Sequence, residues 1–299
     1  MVKYCFINSL GIHFEHKLEF NSSWPSEKLA VGQIGGVATD KDGNVYIFHR
    51  GSRQWNAQCH IYCATFCVFK IPQGETSPSL VLGHRFQHGS DLTSFCKPTD
   101  VAVLSSGEFF VSDGYCNGRV LKFARNGTLI RAWGERQDFA ANPPPIGSFD
   151  ISHSVTVSEE NNLVCVADRE NGRIQCFDLD GNFKHIIKHP EFGNRLFAIE
   201  QSPVQGGVLY AVNGPSFSGP TDISVQGFTL DIKTGALLET WNIPQHLHNP
   251  HDVCIHTGSQ SVYVGELNPQ AVWKLSRQLP TAESTTPVHC LIIYGEVSF

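Results

Sequence analysis

The chain has 299 residues, of which 17% are charged and 11% aromatic, and its formal net charge is −6 with histidine neutral. This length can bury a large core, and an acidic balance without a basic patch argues against a nucleic-acid partner. No apolar run approaches the roughly 20 residues of a membrane-spanning helix. Frequent Gly and Pro residues and the lack of long amphipathic runs favour an all-β protein with many short strands.

A short pattern recurs along the chain: an apolar strand, a turn containing Asp, Gly or Asn, and a second apolar strand. Its five copies begin near Gly36, Asp100, Ser154, Leu196 and Asp252. Several copies are followed by a third and a fourth strand, joined through Asn-Gly or Asp-Gly pairs that suit tight hairpins. Four antiparallel strands repeated every ~40–50 residues predict the blades of a β-propeller, and the pattern resembles the NHL class.

One interval of this repeat is irregular. Val37 and Val101 are 64 positions apart, whereas Val101 and Val155 are 54 apart. The longer interval exceeds one blade and is too short for two, while 68–71 and 80–83 have the pattern of a third and a fourth strand. We interpret the interval as a hybrid, in which the inner strands of one blade join the outer strands of the next. Counted in this way, the sequence predicts five blades.

The domain organisation follows from the repeat. We predict an N-terminal segment at 1–29, a propeller domain at 30–275 with an irregular region near 52–67, and a C-terminal tail at 276–299. The tail begins with a linker rich in Thr, Ser, Pro and Glu, so we expect it to be loosely held, with 291–294 as a candidate edge strand. The first ten residues have too short an apolar core for a clear signal peptide.

Histidine occupies the same repeat position in two inner strands, as His153 and His251. Inner strands line the axis of a propeller, so equivalent positions of different blades converge there, and neutral imidazole binds zinc well. The alternative is a hydrogen-bonded histidine at a strand start. Arg50 and Arg169 follow second strands, where a substrate would meet the channel, although a solvated surface charge is the more ordinary role for arginine.

Ten cysteines suggest disulfides or metal sites. Cys165 and Cys176 fall on neighbouring strands of one hairpin, where a cross-strand disulfide is possible. Cys96 and Cys116 flank an inner hairpin of another blade and could restrain Tyr115 if they are paired. Buried free thiols are the alternative for these four residues. Two glycosylation sequons, at Asn21 and Asn126, add little on their own.

Several of these segments resemble the peptidyl-α-hydroxyglycine α-amidating lyases. The most specific motifs run from Asp113 to Asn117 and from Cys165 to Cys176, and further matches lie at 48–51, 95–103 and 250–252. The resemblance covers roughly residues 30–275, apart from the segment near 52–67. It implies an NHL-type propeller with six blades in the family, of which about five are recognisable here because part of the second blade is missing.

The resemblance also implies an activity. Members of that family are carbon–nitrogen lyases (peptidylamidoglycolate lyases) that cleave a peptidyl-α-hydroxyglycine to a peptide amide and glyoxylate, with zinc at the propeller axis and a structural calcium ion. A peptide with a C-terminal α-hydroxyglycine would be the substrate, and the secretory pathway or the extracellular space the location. By motif match, zinc would be held by His153 and His251, and calcium by the main-chain oxygen of Val37 and by Asp252.

The remaining roles implied by the resemblance concern catalysis and disulfides. Tyr115 would be the base that removes the hydroxyl proton, Arg50 its cationic neighbour, and Arg169 a residue that binds or orients the substrate. A phenol with an ordinary pKa near 10 needs adjacent cations to act as a base near neutrality. The resemblance implies two disulfides, which would join Cys96 to Cys116 and Cys165 to Cys176.

One departure from the family leaves alternatives open. The family's third zinc histidine lies in a Pro-His-Gly context that this sequence lacks, in the interval where the chain is short. Impaired zinc binding is therefore expected, and a catalytically inactive propeller that binds a peptide or protein is the second hypothesis. A calcium-dependent hydrolase or lactonase on a similar propeller is the third, and the segment from Asp113 to Cys116 argues against it.

Overall fold

The computed structural model describes residues 34–39, 45–49, 66–72, 75, 77–84, 87–137, 142–203, 206–216, 223–243, 246–255, 261–266, 271–277 and 290–291. Within these residues the chain forms five four-stranded antiparallel sheets and one two-stranded pair. A helix long and apolar enough to cross a membrane is absent from the same residues. The predicted all-β propeller architecture is therefore confirmed.

Each four-stranded sheet takes its strands in sequence order and forms one blade. The strands of blade 1 are β1 (Ile34–Thr39), β2 (Val45–His49), β3 (Phe66–Ile71) and β4 (Leu80–His84); of blade 2, β5 (Asp100–Val103), β6 (Phe109–Asp113), β7 (Arg119–Phe123) and β8 (Leu129–Trp133); of blade 3, β11 (Ser152–Ser158), β12 (Leu163–Asp168), β13 (Arg173–Phe177) and β14 (Phe183–Ile187). Blade 4 contains β15 (Leu196–Ser202), β16 (Val208–Asn213), β17 (Gly227–Asp231) and β18 (Leu237–Trp241), and blade 5 contains β19 (Pro250–Ile255), β20 (Ser261–Glu266), β21 (Ala271–Arg277) and β22 (Cys290–Leu291). The parallel pair β9 (Glu135–Arg136) and β10 (Ser148–Phe149) connects blades 2 and 3.

Blade 1 contains strands from both sides of the irregular interval, as the hybrid interpretation expects; the assignment of its outer strands to the next blade of the family stays a prediction. β2 pairs with β3 from Val45↔Ile71 to His49↔Cys67, so strands from the two sides of the interval complete one sheet. In blade 5, β22 pairs with the end of β21, and the C-terminal segment therefore supplies its fourth strand. Cys67 on β3 is buried.

The core lies between adjacent blades. The second and third strands are buried along their whole length in blades 2 and 3, whereas the fourth strands consist mostly of half-buried and exposed residues. One apolar layer between blades 2 and 3 contains Phe110, Val120, Phe149, Val166 and Phe177. Burying each such side chain stabilises the fold by about 1.5–3 kcal/mol.

The inner strands contact one another in the order β1, β5, β11, β15 and β19. Four of them contain a bulge at the same position, between Ile34 and Gly36, between Ser152 and Ser154, between Leu196 and Ala198, and between Pro250 and Asp252. The bulged residues are therefore Gly35, His153, Phe197 and His251, and the last three carry rings. A bulge re-aims a side chain, and here the repeat brings three re-aimed rings together.

Candidate active site

The loop that follows β6 is held by a buried carboxylate. Asp113 accepts hydrogen bonds from the Cys96 main-chain N–H at 2.7 Å, Asn117 Nδ2 at 2.7 Å and Arg119 Nε at 3.1 Å. Burial raises the pKa of Asp113, whereas the hydrogen bond from Asn117 and the charge of Arg119 act to lower it. The disulfide between Cys96 and Cys116 ties the same loop to the segment before β5. Tyr115, half-buried, lies in the middle of this restrained loop.

Gly114 brings the tyrosine loop against the start of β11. A Cβ atom at this position would clash with the main-chain oxygen of Ser152, so glycine is required for the close approach. Ser152 directly precedes His153. Tyr115 and His153 consequently meet edge to face, with ring centroids 6.0 Å apart.

The loop that follows β12 repeats this support. Asp168 accepts from the Asp150 main-chain N–H at 2.8 Å, Asn171 Nδ2 at 2.9 Å and Arg173 Nε at 2.6 Å. Burial raises the pKa of Asp168, and the hydrogen bond from Arg173 opposes this effect. A single 3₁₀ turn, Arg169–Asn171, connects the carboxylate to β13.

Arg169 reaches from this turn to the tyrosine of the neighbouring blade. Its Nη1 donates to the Tyr115 hydroxyl at 3.2 Å, and its guanidinium carbon lies 5.2 Å from the Tyr115 ring centroid and 5.1 Å from that of Phe197. A guanidinium donating to a phenol oxygen favours the phenolate over the neutral phenol. The structure thus brings the sequence-predicted Tyr115 and Arg169 together.

The two predicted zinc histidines also meet. The His153 and His251 rings lie 4.6 Å apart at their centroids and both side chains are buried. His153 Nδ1 donates to the Phe197 main-chain oxygen at 2.7 Å, because a carbonyl can only accept. In this tautomer Nε2 carries the free lone pair and is the atom that can bind a metal, an arrangement usual for zinc-ligating histidine.

The donor chemistry of the pair therefore fits zinc, with two imidazoles from blades 3 and 5. The described part of the chain contains no group of three or more histidine, cysteine or acidic side chains arranged to hold a metal ion. The third ligand of a zinc site is accordingly not identified among those residues.

The remaining predicted site residues are the four disulfide cysteines, the two calcium candidates and Arg50. The structure forms both predicted disulfides, Cys96–Cys116 and Cys165–Cys176. Asp252 accepts a hydrogen bond from the Val253 main-chain N–H at 2.9 Å, and Val37 pairs with Ile47 within blade 1. The calcium site stays a prediction. Arg50 lies outside the described residues.

Three residues of the site were missed in the sequence. Phe197 packs against both histidines, with its ring centroid 5.6 Å from that of His153 and 5.7 Å from that of His251. Phe197 occupies the same position in its inner strand as His153 does in its own. This shared repeat position is the sequence signal that could have identified Phe197. Glu170 accepts a hydrogen bond from Arg169, and Arg195 donates to Glu170. No sequence signal marks Glu170 or Arg195.

Comparison with known proteins supports the repeat architecture. The NHL repeat family matches residues 95–123 and 153–177. Peptidyl-glycine alpha-amidating monooxygenase A of Xenopus laevis is 39% identical over 87% of this chain, which spans only 33% of that protein. Peptidyl-alpha-hydroxyglycine alpha-amidating lyase 1 of Drosophila melanogaster is 34% identical over 85% of this chain and is covered over 59% of its own length.

Solved structures agree on the fold. A chain of the nidogen/laminin complex superposes with a TM-score of 0.58 at 14% identity, over 83% of this chain and 76% of its own. A likeness at this identity concerns the fold alone. The sequence relationship is more specific, and by it this chain is a homologue of the peptidyl-α-hydroxyglycine α-amidating lyases, built from NHL repeats.

Proposed function

We propose that this chain is itself a peptidylamidoglycolate lyase, which cleaves a peptidyl-α-hydroxyglycine to a peptide amide and glyoxylate. The observation that carries the proposal is the 3.2 Å hydrogen bond from Arg169 to the Tyr115 hydroxyl, beside the paired rings of His153 and His251. The named homologues are amidating enzymes, and the segments from Asp113 to Asn117 and from Cys165 to Cys176 resemble motifs of the lyase family.

The reaction needs one proton acceptor at the substrate hydroxyl. Tyr115, as phenolate, would take that proton, the carbon–oxygen bond would become the aldehyde of glyoxylate, and the carbon–nitrogen bond would break. The departing amide nitrogen then takes a proton, so atoms and charge balance. The guanidinium of Arg169 would stabilise the phenolate between turnovers, since a cation at hydrogen-bond distance favours the charged form of the phenol.

Zinc held by His153 and His251 would supply a Lewis acid that polarises the substrate hydroxyl. The walls of the site support this use of the histidines. Phe197 packs against both rings and its main-chain oxygen fixes the His153 tautomer, so the imidazoles are oriented before any metal binds. Calcium bound by Asp252 and the main-chain oxygen of Val37 would serve stability, and Arg50 would add a second cation near Tyr115.

Two observations favour a secretory or extracellular location. Cys96–Cys116 and Cys165–Cys176 are both oxidised in the structure, and Cys254 is disulfide-bonded as well. Disulfides persist in oxidising compartments. The sequon at Asn126 lies on the exposed turn between β7 and β8, where a glycan could be attached.

Turnover of a synthetic peptidyl-α-hydroxyglycine, followed as glyoxylate release, tests the function. The purified protein is assayed after chelation and again after zinc is restored, with Tyr115→Phe as the catalytic control. Zinc-dependent release that is lost in the variant supports the lyase. No release from folded protein at any zinc concentration would overturn it and leave a peptide- or protein-binding propeller as the alternative.

A further inference from the structure

A single carboxylate, Glu170, lies between two buried guanidinium groups. Arg195 donates to it in a bidentate pair, from Nε to Oε2 at 2.9 Å and from Nη2 to Oε1 at 3.0 Å. Arg169 Nε donates to Glu170 Oε1 at 2.7 Å from the other side. Glu170 and Arg195 are 25 positions apart, so the pair joins the turn of blade 3 to the start of blade 4.

Arg195 is anchored independently of Glu170. Its Nη1 donates to the Pro215 main-chain oxygen at 2.8 Å, and its guanidinium carbon lies 4.7 Å from the Phe197 ring centroid. Only 4% of its side chain is exposed. Burial lowers the pKa of Arg195 and the Glu170 carboxylate raises it, yet a guanidinium stays charged at any ordinary pH. A fixed cation therefore holds the glutamate.

The glutamate in turn fixes the orientation of Arg169. A guanidinium is a planar fork, so a contact at its Nε edge determines where Nη1 points. With Nε on Glu170, Nη1 meets the Tyr115 hydroxyl. The ring of Phe197 lies under both arginines and limits rotation out of that plane.

We propose that Glu170, anchored by Arg195, is a positioning residue that holds Arg169 against the Tyr115 hydroxyl. Glu170 acts through Arg169, whose Nε donates to the Glu170 carboxylate and whose Nη1 donates to the Tyr115 hydroxyl. The kinetic consequence rests on the proposed lyase function, whereas the structural link does not. The proposal therefore needs two readouts.

The kinetic readout is kcat/KM for glyoxylate release by Glu170→Gln and Arg195→Lys. Loss of the bidentate geometry should lower kcat/KM by about 10- to 100-fold, the range expected when a catalytic group is misplaced by about 1 Å. Glu191→Gln is the matched control, because the Glu191 carboxylate accepts from Gln226 Nε2 at 3.0 Å on an exposed surface, and it should retain wild-type kinetics. On an Arg169→Lys background, Glu170→Gln should cost little more, since its effect passes through Arg169.

A second variant separates positioning from folding. Glu170→Gln leaves the Arg195 charge buried without its carboxylate, which can destabilise the fold. The double variant Glu170→Gln with Arg195→Gln removes both charges. It should recover thermal stability relative to the single variant while kcat/KM stays low.

The second readout is independent of activity. Side-chain ¹⁵N NMR of the full chain should show an Arg169 Nε–H that exchanges slowly with solvent, with its resonance assigned by Arg169→Lys. Exchange should accelerate at least severalfold in Glu170→Gln and remain slow in Glu191→Gln. If wild type releases no glyoxylate, the lyase function fails while this result still decides the positioning. Unchanged Arg169 protection in Glu170→Gln would overturn the positioning role even in an active enzyme.

Discussion

The loops after β6 and β12 have the same support and carry different chemistry. In each, a buried aspartate ends the second strand, and an asparagine side chain and the arginine that begins the third strand donate to it. Each arginine also donates to three main-chain oxygens of the segment before its blade, in blade 2 those of Ser90, Asp91 and Ser94, and in blade 3 those of Pro144, Pro145 and Ser148.

What differs is the residue presented by the support. The loop of blade 2 carries Tyr115 two residues after its aspartate, while the loop of blade 3 carries Arg169 one residue after its own. Blade 4 supplies a third version without ions: Asn213 accepts from the Gln226 main-chain N–H and donates to the main-chain oxygens of its surroundings. We call the shared support a bracket: a residue at the end of the second strand, Asp113, Asp168 or Asn213, with the groups that it hydrogen-bonds. The comparison indicates that the blades repeat this bracket and differ in the one or two residues that follow it.

The largest expected effect comes from breaking an ionic bracket. Asp168→Asn leaves the Arg173 charge, with 4% of its side chain exposed, without a carboxylate. Removing one partner of a buried ion pair should cost about 3–5 kcal/mol in the free energy of unfolding. Asn213→Ala, which removes only neutral hydrogen bonds, should cost about 1–3 kcal/mol. Urea unfolding of both variants compares the two brackets, and equal losses would refute the distinction.

The two disulfides also distinguish the loop of blade 2 from that of blade 3. Their sequence separations are 20 for Cys96–Cys116 and 11 for Cys165–Cys176. Replacing either pair by serine should cost about 3 kcal/mol of stability, through the lost constraint on the unfolded chain. Only the first replacement should also lower glyoxylate release at a temperature where both variants are folded, because Cys116 adjoins Tyr115. A loss of activity confined to the second pair would contradict this assignment.

A smaller loss is expected when the approach of the two loops is relaxed at Gly114. Gly114→Ala would push the tyrosine loop off the Ser152 main-chain oxygen and should lower kcat/KM by about 10²-fold, as a 1 Å misplacement does. Gly265→Ala is the control, since the nearest atom to its added Cβ is the Asp252 main-chain oxygen at 4.0 Å. Activity of Gly114→Ala equal to that of the control would mean that the contact does not place Tyr115.

The smallest effect concerns Asp178, which accepts hydrogen bonds from Asn182 and pairs with Lys184 at the turn between β13 and β14. Burial acts to raise the pKa of Asp178, but hydrogen bonds from Asn182 and Lys184 lower it to about 2. A lowered pKa contributes stability above the unfolded value of 3.8 that is lost as the pH falls toward about 2. The stability difference between wild type and Asp178→Asn, measured by thermal unfolding, should shrink across this window. A difference that stays constant would exclude the effect.

Much of the fold could be predicted because a propeller repeats its signals. The turn pairs at Asn126-Gly127 and Asp180-Gly181 and the alternating strands placed the blades, and the spacing from Val37 to Val101 indicated the hybrid blade. The bracket itself was missed, although an aspartate followed by asparagine and arginine occurs twice, at Asp113 and at Asp168. Each of these residues is common in surface turns, so the pattern predicts burial only when both copies are compared.

The site could be predicted only in part. Tyr115, Arg169 and the two histidines were found because motif and repeat phase mark them. Glu170 and Arg195 could not be found, because their pairing depends on how blade 3 meets blade 4, and an arginine–glutamate turn is usually solvated. The bulges that turn Phe197 toward the histidines are likewise a property of strand pairing and not of local sequence.

The most direct test of the account compares Tyr115→Phe and Arg169→Lys with wild type in one assay of glyoxylate release from a peptidyl-α-hydroxyglycine. The account predicts that Tyr115→Phe loses about 10²- to 10⁴-fold in kcat/KM, as expected for a general base, that Arg169→Lys also falls, and that neither changes the melting temperature appreciably. Wild-type rates in both variants would contradict the claim that the brackets of blades 2 and 3 together present the catalytic residues.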